Sequence, residues 1–589
     1  MHSALRTKRP RPSTSARAAA AVTLTLFAAT VAHAGKISLK VNGVDAALKN
    51  AVVAGVEISQ YGKRDVSEAQ AERLFDHAKA ETKSALEPYG YYNVAVSGEL
   101  QHNGDDFVAL LKVDPGEPVK VTTLDIAVDG DANGQRAVRR AVAAFVPAKG
   151  QRFEHAQYEQ SKAAVQAALF GSGYLDAGLA THRVDVNRAN HSAEVHLHWE
   201  VGRRYRFGAT TFSGGQFPDA FMARYIPWQE GDFYTQARLL EFQQRLVDAD
   251  YFAIAQVRPD TQAAKNGIVP IEVTLAPAKR TIYTGGLFIG TDTGPGVRGG
   301  IKRRWVNRRG HKLGIEAIIA QRLKTLTALY KIPLPGQNNH SLNFGATYRD
   351  ENTDTSQSRT FRLAANDSRA WHSWTRTIGL QFLTGDFTVA DVKGSTTLLY
   401  PEVSLSRKDA DNFNFPRRGY SLTFAARAGQ KAIASSTSFA QITADAKWIH
   451  GLGKHSRFIA RGTLGATRVD DFNKLPPELR FFAGGDRSIR GYTFQTIGPR
   501  NSDGKVIGGE DIAVASAEYE YYFSPHWGVA TFVDAGDAFT GSNFDLKVGT
   551  GIGVRWRSPV GLVRVDLGVP VNDSRESGVA LHIVIGPDL

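Results

Sequence analysis

The sequence predicts a chain in two parts, an α+β arm of three similar units followed by an all-β, 16-stranded transmembrane antiparallel barrel. Three observations carry that reading. A short aromatic marker recurs three times in the first half at near-constant spacing. In the second half the helical period disappears, and alternating runs are separated by Gly, Asp, Asn and Pro clusters. On the last of those runs charged residues and glycines share one face while large apolar residues take the other.

The N-terminus reads as an address. Arg6, Lys8, Arg9, Arg11 and Arg17 precede an apolar run from Ala18 to Val31, and Ala32-His33-Ala34 supplies a small-x-small cleavage pattern. Cleavage is expected between Ala34 and Gly35, making 1–34 a signal peptide. Its removal takes away five basic residues and no acidic one, so the formal charge falls from +13 to +8. An exported chain has no use for nucleic acid, and the remaining charge fits a lumen and an envelope surface. The 589 residues exceed one domain, and with no cysteine they hold neither a disulfide framework nor a thiolate site. A mean hydropathy of −0.27 excludes a bundle of membrane-spanning helices.

In the arm the marker appears as Gly90-Tyr91-Tyr92, Gly173-Tyr174-Leu175 and Asp250-Tyr251-Phe252, 83 and then 77 residues apart. Each copy follows an amphipathic helix: Ala71, Leu74, Phe75 and Ala78 share a helical face in the first unit, and Leu239, Phe242 and Leu246 in the third. Each precedes two alternating strands, as in Asn93–Leu100 with Phe107–Val113. Gly150-Gln151-Arg152-Phe153 and Gly231-Asp232-Phe233-Tyr234 open the later units. A repeating strand–helices–strand–strand unit offers exposed sheet edges that can accept an extended segment by backbone hydrogen bonding.

From about 280 onward sixteen alternating runs are expected, the first near 281–290 and the last near 578–586, with runs near 358–366, 374–384 and 396–406 among them. Val548, Thr550, Ile552, Val554 and Trp556 alternate with Lys547, Gly549, Gly551, Gly553 and Arg555; Val563, Val565 and Leu567 alternate with Arg564 and Asp566. Charge at membrane depth can face only the lumen, so the apolar series faces lipid. By the same parity Glu518 and Glu520 face inward, and so does Asp534 on the next run.

A long turn-rich segment, about 469–510, interrupts these runs and contains Gly484-Gly485-Asp486-Arg487-Ser488-Ile489-Arg490-Gly491-Tyr492. This stretch resembles the (V/I)-R-G-(F/Y) loop of the outer-membrane assembly superfamily that includes BamA, TamA and two-partner secretion pores. The resemblance implies that the loop folds back into the lumen, with Gly484, Gly485, Arg487, Arg490, Gly491 and Tyr492 forming its motif. It further implies that Arg490 pairs with Asp534 first and Glu518 second. The arm units then resemble POTRA domains in the periplasm, at 35–117, 118–203 and 204–279, ahead of the barrel at 280–589. The last run carries Leu581, Ile583 and Ile585 and ends in Gly586-Pro587-Asp588-Leu589, without the usual terminal Phe. Gly586 permits a bend and Pro587 cannot donate, so the first and last strands are expected to pair over a short stretch, leaving a weak seam.

Three units favour the TamA-type branch. The resemblance implies a factor that helps insert or secrete unfolded outer-membrane clients such as autotransporters, with outer-membrane lipid and a TamB-type inner-membrane partner. The competing class is a transport pore for one exoprotein or for lipid. No cofactor, metal or catalytic residue is expected. His196 and His198 share a strand face but read as ordinary histidines without a matching carboxylate, and no nucleotide-binding or triad pattern stands out.

Overall fold

The computed structural model describes residues 34–334, 339–559, 561–572 and 578–585. The expected signal segment, apart from Ala34, and the expected bend at Gly586 lie outside these residues. Three small sheets form the first half. β1 (Ala34–Asn42), β2 (Asp65–Ser67), β3 (Ala95–Asn103) and β4 (Asp106–Asp114) make the first, in the order β2-β1-β4-β3. β5 (Lys120–Val128), β6 (Gly178–Asn187) and β7 (Ser192–Glu200) make the second, ordered β5-β7-β6. β8 (Arg206–Gly214), β9 (Phe252–Pro259) and β10 (Ile268–Pro277) make the third, ordered β8-β10-β9.

The plan is the same each time. The opening strand runs parallel to the last one, and a hairpin partner pairs antiparallel on its other side. A parallel pair needs a long crossover, which the helices supply. The last strand of each unit buries alternate residues beneath them: Phe107, Ala109, Leu111 and Val113; Ala193, Val195, Leu197 and Trp199; Val269, Ile271, Val273 and Leu275. The helix faces read from the sequence are buried too, Leu74, Phe75 and Ala78 in Glu68–Leu86 and Leu239, Phe242 and Leu246 in Gln236–Asp248.

The first marker and the Gly150-Gln151-Arg152-Phe153 motif are two sides of a joint. Arg152 donates to the Tyr91 hydroxyl at 3.1 Å, the Val119 N–H donates to the Gly90 carbonyl at 2.8 Å, and Tyr92 meets His155 Nε2 at 2.6 Å. Burial pushes the Tyr92 hydroxyl up to about 12 and His155 down, so a neutral phenol donates to a neutral imidazole. The two strand histidines have acidic neighbours that spacing alone does not reveal, brought by the parallel neighbour β5 and the residue that follows it. Asp125 is the register partner of His196, 3.4 Å away, and His198 lies 2.8 Å from Asp129.

Sixteen further strands form one sheet, each pairing antiparallel with the next. They are β11 (Thr281–Gly290), β12 (Gly294–Arg303), β13 (Lys312–Ala320), β14 (Leu323–Pro333), β15 (Ser341–Asn352) and β16 (Ser356–Trp371). β17 (Trp374–Val389), β18 (Val392–Ala410), β19 (Arg418–Gly429), β20 (Phe439–Leu452) and β21 (Ser456–Val469) follow. β22 (Asp511–Tyr522), β23 (Trp527–Phe539), β24 (Lys547–Ser558), β25 (Gly561–Pro570) and β26 (Ala580–Ile585) complete the nearly closed barrel. Leu287, Ile319, Ile442, Leu464, Val533, Ile552 and Leu567 are exposed on its outer face. No described helix is long and apolar enough to cross a membrane.

β16, β17 and β18 run well beyond the expected 358–366, 374–384 and 396–406. Their ladder continues to the tight Trp371↔Trp374 hairpin through Asp367, Ser368 and Arg369. Past the lipid band the outward face no longer has to be apolar, so alternation fades while pairing persists.

The third aromatic marker docks on the barrel's β12–β13 turn. Asp250 takes salt bridges from Lys302 at 2.8 Å and Arg304 at 2.9 Å, and the fully buried Tyr251 donates its hydroxyl to the Gly310 carbonyl at 2.5 Å. Replacing Tyr251 by Ala is expected to loosen this joint by about 3–5 kcal/mol, as other buried aromatic truncations do. Hydrogen exchange in the β12–β13 turn reads the effect. Burial raises the Asp250 carboxyl, but the bonds from Lys302 and Arg304 outweigh it and hold the group below the usual carboxylate range. Its contribution is therefore present above that range and lost as pH falls through the lowered value. Asp250→Asn should remove this acid-sensitive part of the turn's protection; an unchanged pH profile would refute it.

Candidate functional site

Between β21 and β22 the chain turns through two short 3-10 helices, Phe472–Lys474 and Pro477–Leu479, and folds back into the lumen. Ala483, Ile489, Tyr492 and Ile497 of this loop bury against Ile512 and Val514 of β22 and Ala538 of β23. Gly484, Gly485 and Gly491 have φ of +96°, +97° and +100°. At Gly491 a side chain would be strained by that backbone and would also meet the Val569 carbonyl carbon at 2.7 Å. The wall makes room as well: a Cβ on Gly549 would come 1.8 Å from the Arg490 carbonyl oxygen, and one on Gly568 2.6 Å from the Gly491 nitrogen.

Arg490 is 3% exposed and fully engaged. Its Nε and Nη2 donate to the two oxygens of Asp534 at 2.7 and 3.0 Å, and its backbone N–H adds a third bond to Asp534 at 3.0 Å. Nη1 reaches Glu518 at 2.6 Å and Asp566 at 3.1 Å, and the guanidinium lies 3.6 Å from the centre of the Phe532 ring. This bidentate, charge-assisted geometry is where arginine differs most from lysine.

Beyond the anticipated Asp534 and Glu518 the structure adds a second, interlocked arginine. Arg555 donates to Glu518 at 2.6 Å, Glu520 at 2.8 Å and Asp566 at 2.5 Å. Arg457 pairs with Glu520, and Arg461 approaches Asp534 at 3.5 Å. Parity already turned Arg555, Asp566 and Glu520 inward; that they share partners with Arg490 depends on strand stagger, which parity does not carry. Arg487 is placed differently from its neighbour. It is exposed, and it lines a lumen cavity of about 510 Å³ with Arg349, Arg362, Glu351 and Glu478.

At the seam no backbone ladder joins β26 to β11 among the described residues. Leu581 and Ile585 are exposed, and Ile583 is half-buried with its N–H donating to the Thr291 hydroxyl at 3.2 Å. Ala34 and Gly35 open β1, in register with Ser67 and Val66.

Fold and site together define a transmembrane β-barrel whose lumen holds an inward loop pinned by buried charge, preceded by an α+β arm. Residues 307–586 match the Omp85 superfamily domain, and residues 38–115 match the POTRA domain TamA domain 1. The chain thus carries an Omp85 superfamily domain with a TamA-type POTRA domain, as an outer-membrane barrel with a periplasmic arm. It is 25% identical over 442 residues to the outer membrane protein assembly factor BamA of Nitratidesulfovibrio vulgaris, covering 69% of this chain and 54% of that protein. The chain therefore spans about half the length of that relative. The crystal structure of Haemophilus ducreyi BamA lacking POTRA domains 1–3 superposes with a TM-score of 0.68 at 16% identity, covering 80% of this chain and 99% of that one. That likeness is one of fold.

Proposed function

We propose that this protein is an outer-membrane assembly factor that helps insert or secrete unfolded β-barrel clients such as autotransporters. The observation that carries the reading is the seam: fifteen neighbouring strand pairs are zipped by backbone ladders, while β26 and β11 are not among the described residues. Unpaired strand edges at membrane depth are costly, so an incoming client strand that satisfies them gains hydrogen bonds there. No bond is made or broken in the chemical sense. The arm captures extended segments at its sheet edges, the seam admits them, and the pinned loop holds the lumen's shape. The TamA-type match over the first unit, and two more units of the same topology after it, favour a TamA-like arm of three POTRA domains with a TamB-type inner-membrane partner.

The test uses the absence of native cysteine. Ile583 lies beside Gly290 and Thr291, so Ile289→Cys with Ile583→Cys, screened against Ile585→Cys, places thiols on the outer face of the seam. The variant is reconstituted in liposomes and the folding of a urea-unfolded eight-stranded outer-membrane barrel is timed. Acceleration by the reduced protein, abolished by oxidation and restored by reduction, is the expected result. Stable ion conductance with no acceleration in either state would replace this reading with a transport pore.

A further inference from the structure

Among the described residues the seam lacks a ladder, yet it is not open: one direct bond, from the Ile583 N–H to the Thr291 hydroxyl, crosses it, and so does a side chain of the lumen loop. The Thr291 hydroxyl, in the β11–β12 turn, donates to Asp486 Oδ1 at 2.6 Å. His582, on β26, meets the same oxygen through Nδ1 at 2.7 Å. One carboxylate oxygen therefore joins the first hairpin of the barrel to its last strand.

The surrounding bonds fix the protons. The Gly491 N–H points at His582 Nε2 at 3.1 Å, so Nε2 must offer its lone pair and Nδ1 must carry the hydrogen. Thr291 gives its hydroxyl proton to Asp486 and accepts the Ile583 N–H at 3.2 Å. The Asp486 N–H in turn points at Asp292 across 3.3 Å. The Asp486 and His582 side chains are 6% and 4% exposed, so these bonds are shielded from competing water. Four residues further along, Arg490 anchors the same loop to β22, β23 and β25.

The geometry points to Asp486 as a latch: the loop tip, rather than a strand ladder, holds the seam shut, and the seam opens when Asp486 lets go of Thr291 and His582. The inference deepens the seam reading above and adds a positioning residue that the loop's motif did not include. It couples the two halves of the site, because any movement of the loop that frees Asp486 leaves the seam with the single Ile583–Thr291 bond in the same event.

The test is read without any client, so it stands apart from the insertion assay. Full-length protein in liposomes is followed by hydrogen exchange in peptides covering residues 286–293 and 578–585. Asp486→Ala is expected to speed exchange in both peptides by about tenfold or more while β22–β24 stay protected, as local opening confined to the seam would. Asp486→Asn keeps an acceptor oxygen and should recover part of the protection; Thr291→Val removes one arm of the latch together with the Ile583 bond and should also speed exchange in both peptides. Wild-type exchange in an Asp486→Ala barrel that keeps its folded gel mobility would overturn the latch. If that variant does not fold, wild-type exchange in both Asp486→Asn and Thr291→Val overturns it equally.

Discussion

Arg490→Ala is expected to lower the stability of the barrel by about 3–5 kcal/mol, the cost of removing one member of a buried ion pair and leaving its partners uncompensated. The cost falls toward the upper end because three carboxylates depend on this side chain. Asp534 loses its two guanidinium bonds and keeps the one from the backbone N–H at position 490, while Glu518 and Asp566 each lose one and keep Arg555. Arg490→Lys should recover only part of the loss, since a point charge cannot span Asp534 bidentately and reach Glu518 at once. Urea unfolding in micelles, scored by heat-modifiable gel mobility, measures both variants. Asp534→Asn combined with Arg490→Ala should cost less than the two single changes added together, because each removes the other's partner. A midpoint for Arg490→Ala indistinguishable from wild type would mean that water already compensates these charges.

Much of this arrangement was legible beforehand, and the reasons differ from residue to residue. Parity turned Asp534 and Glu518 inward, since a strand has two faces and only one tolerates charge at membrane depth, and the family resemblance supplied their pairing with Arg490. The shared helix–marker–hairpin order was legible because three copies repeat it. Parity says nothing of stagger, and the register Ser516↔Asp534 and Gly553↔Asp566 is what brings Glu518, Asp566 and Arg555 to one level. Hence Arg555 was seen to face inward without being seen to hold Glu518. The latch lay further out of reach. Asp486 and His582 are 96 residues apart and Asp486 and Thr291 195 apart, and nothing local in either segment marks them as neighbours. The ends of β16–β18 escaped for another reason, because polar strand beyond the lipid band has the composition of a loop.

Glycines on an inward strand face read most simply as filler, and Gly549 tests whether they are. Its backbone carries no positive φ, so Ala is conformationally acceptable there and its effect is purely steric. The added Cβ would stand 1.8 Å from the Arg490 carbonyl oxygen, a backbone atom that cannot rotate aside. Gly549→Ala must therefore push the loop off the wall or displace β24, where Gly549 is the register partner of Asp534. Overpacking of this kind costs about 1–3 kcal/mol, less than the loss of Arg490, because the long guanidinium stem can follow its carboxylates while the loop backbone retreats. Gly299→Ala, whose Cβ meets nothing within 4 Å, is the matched control and should be silent. The two variants separate charge from seating. In Gly549→Ala every charged partner is still present, yet hydrogen exchange across residues 484–494 should rise by about tenfold for each ~1.4 kcal/mol of loosening. If exchange rises and client folding slows with it, the proposed assembly activity needs the loop seated, and the buried charges serve that seating. If exchange rises while client folding is unchanged, the loop is a structural strut and insertion belongs to the seam strands alone.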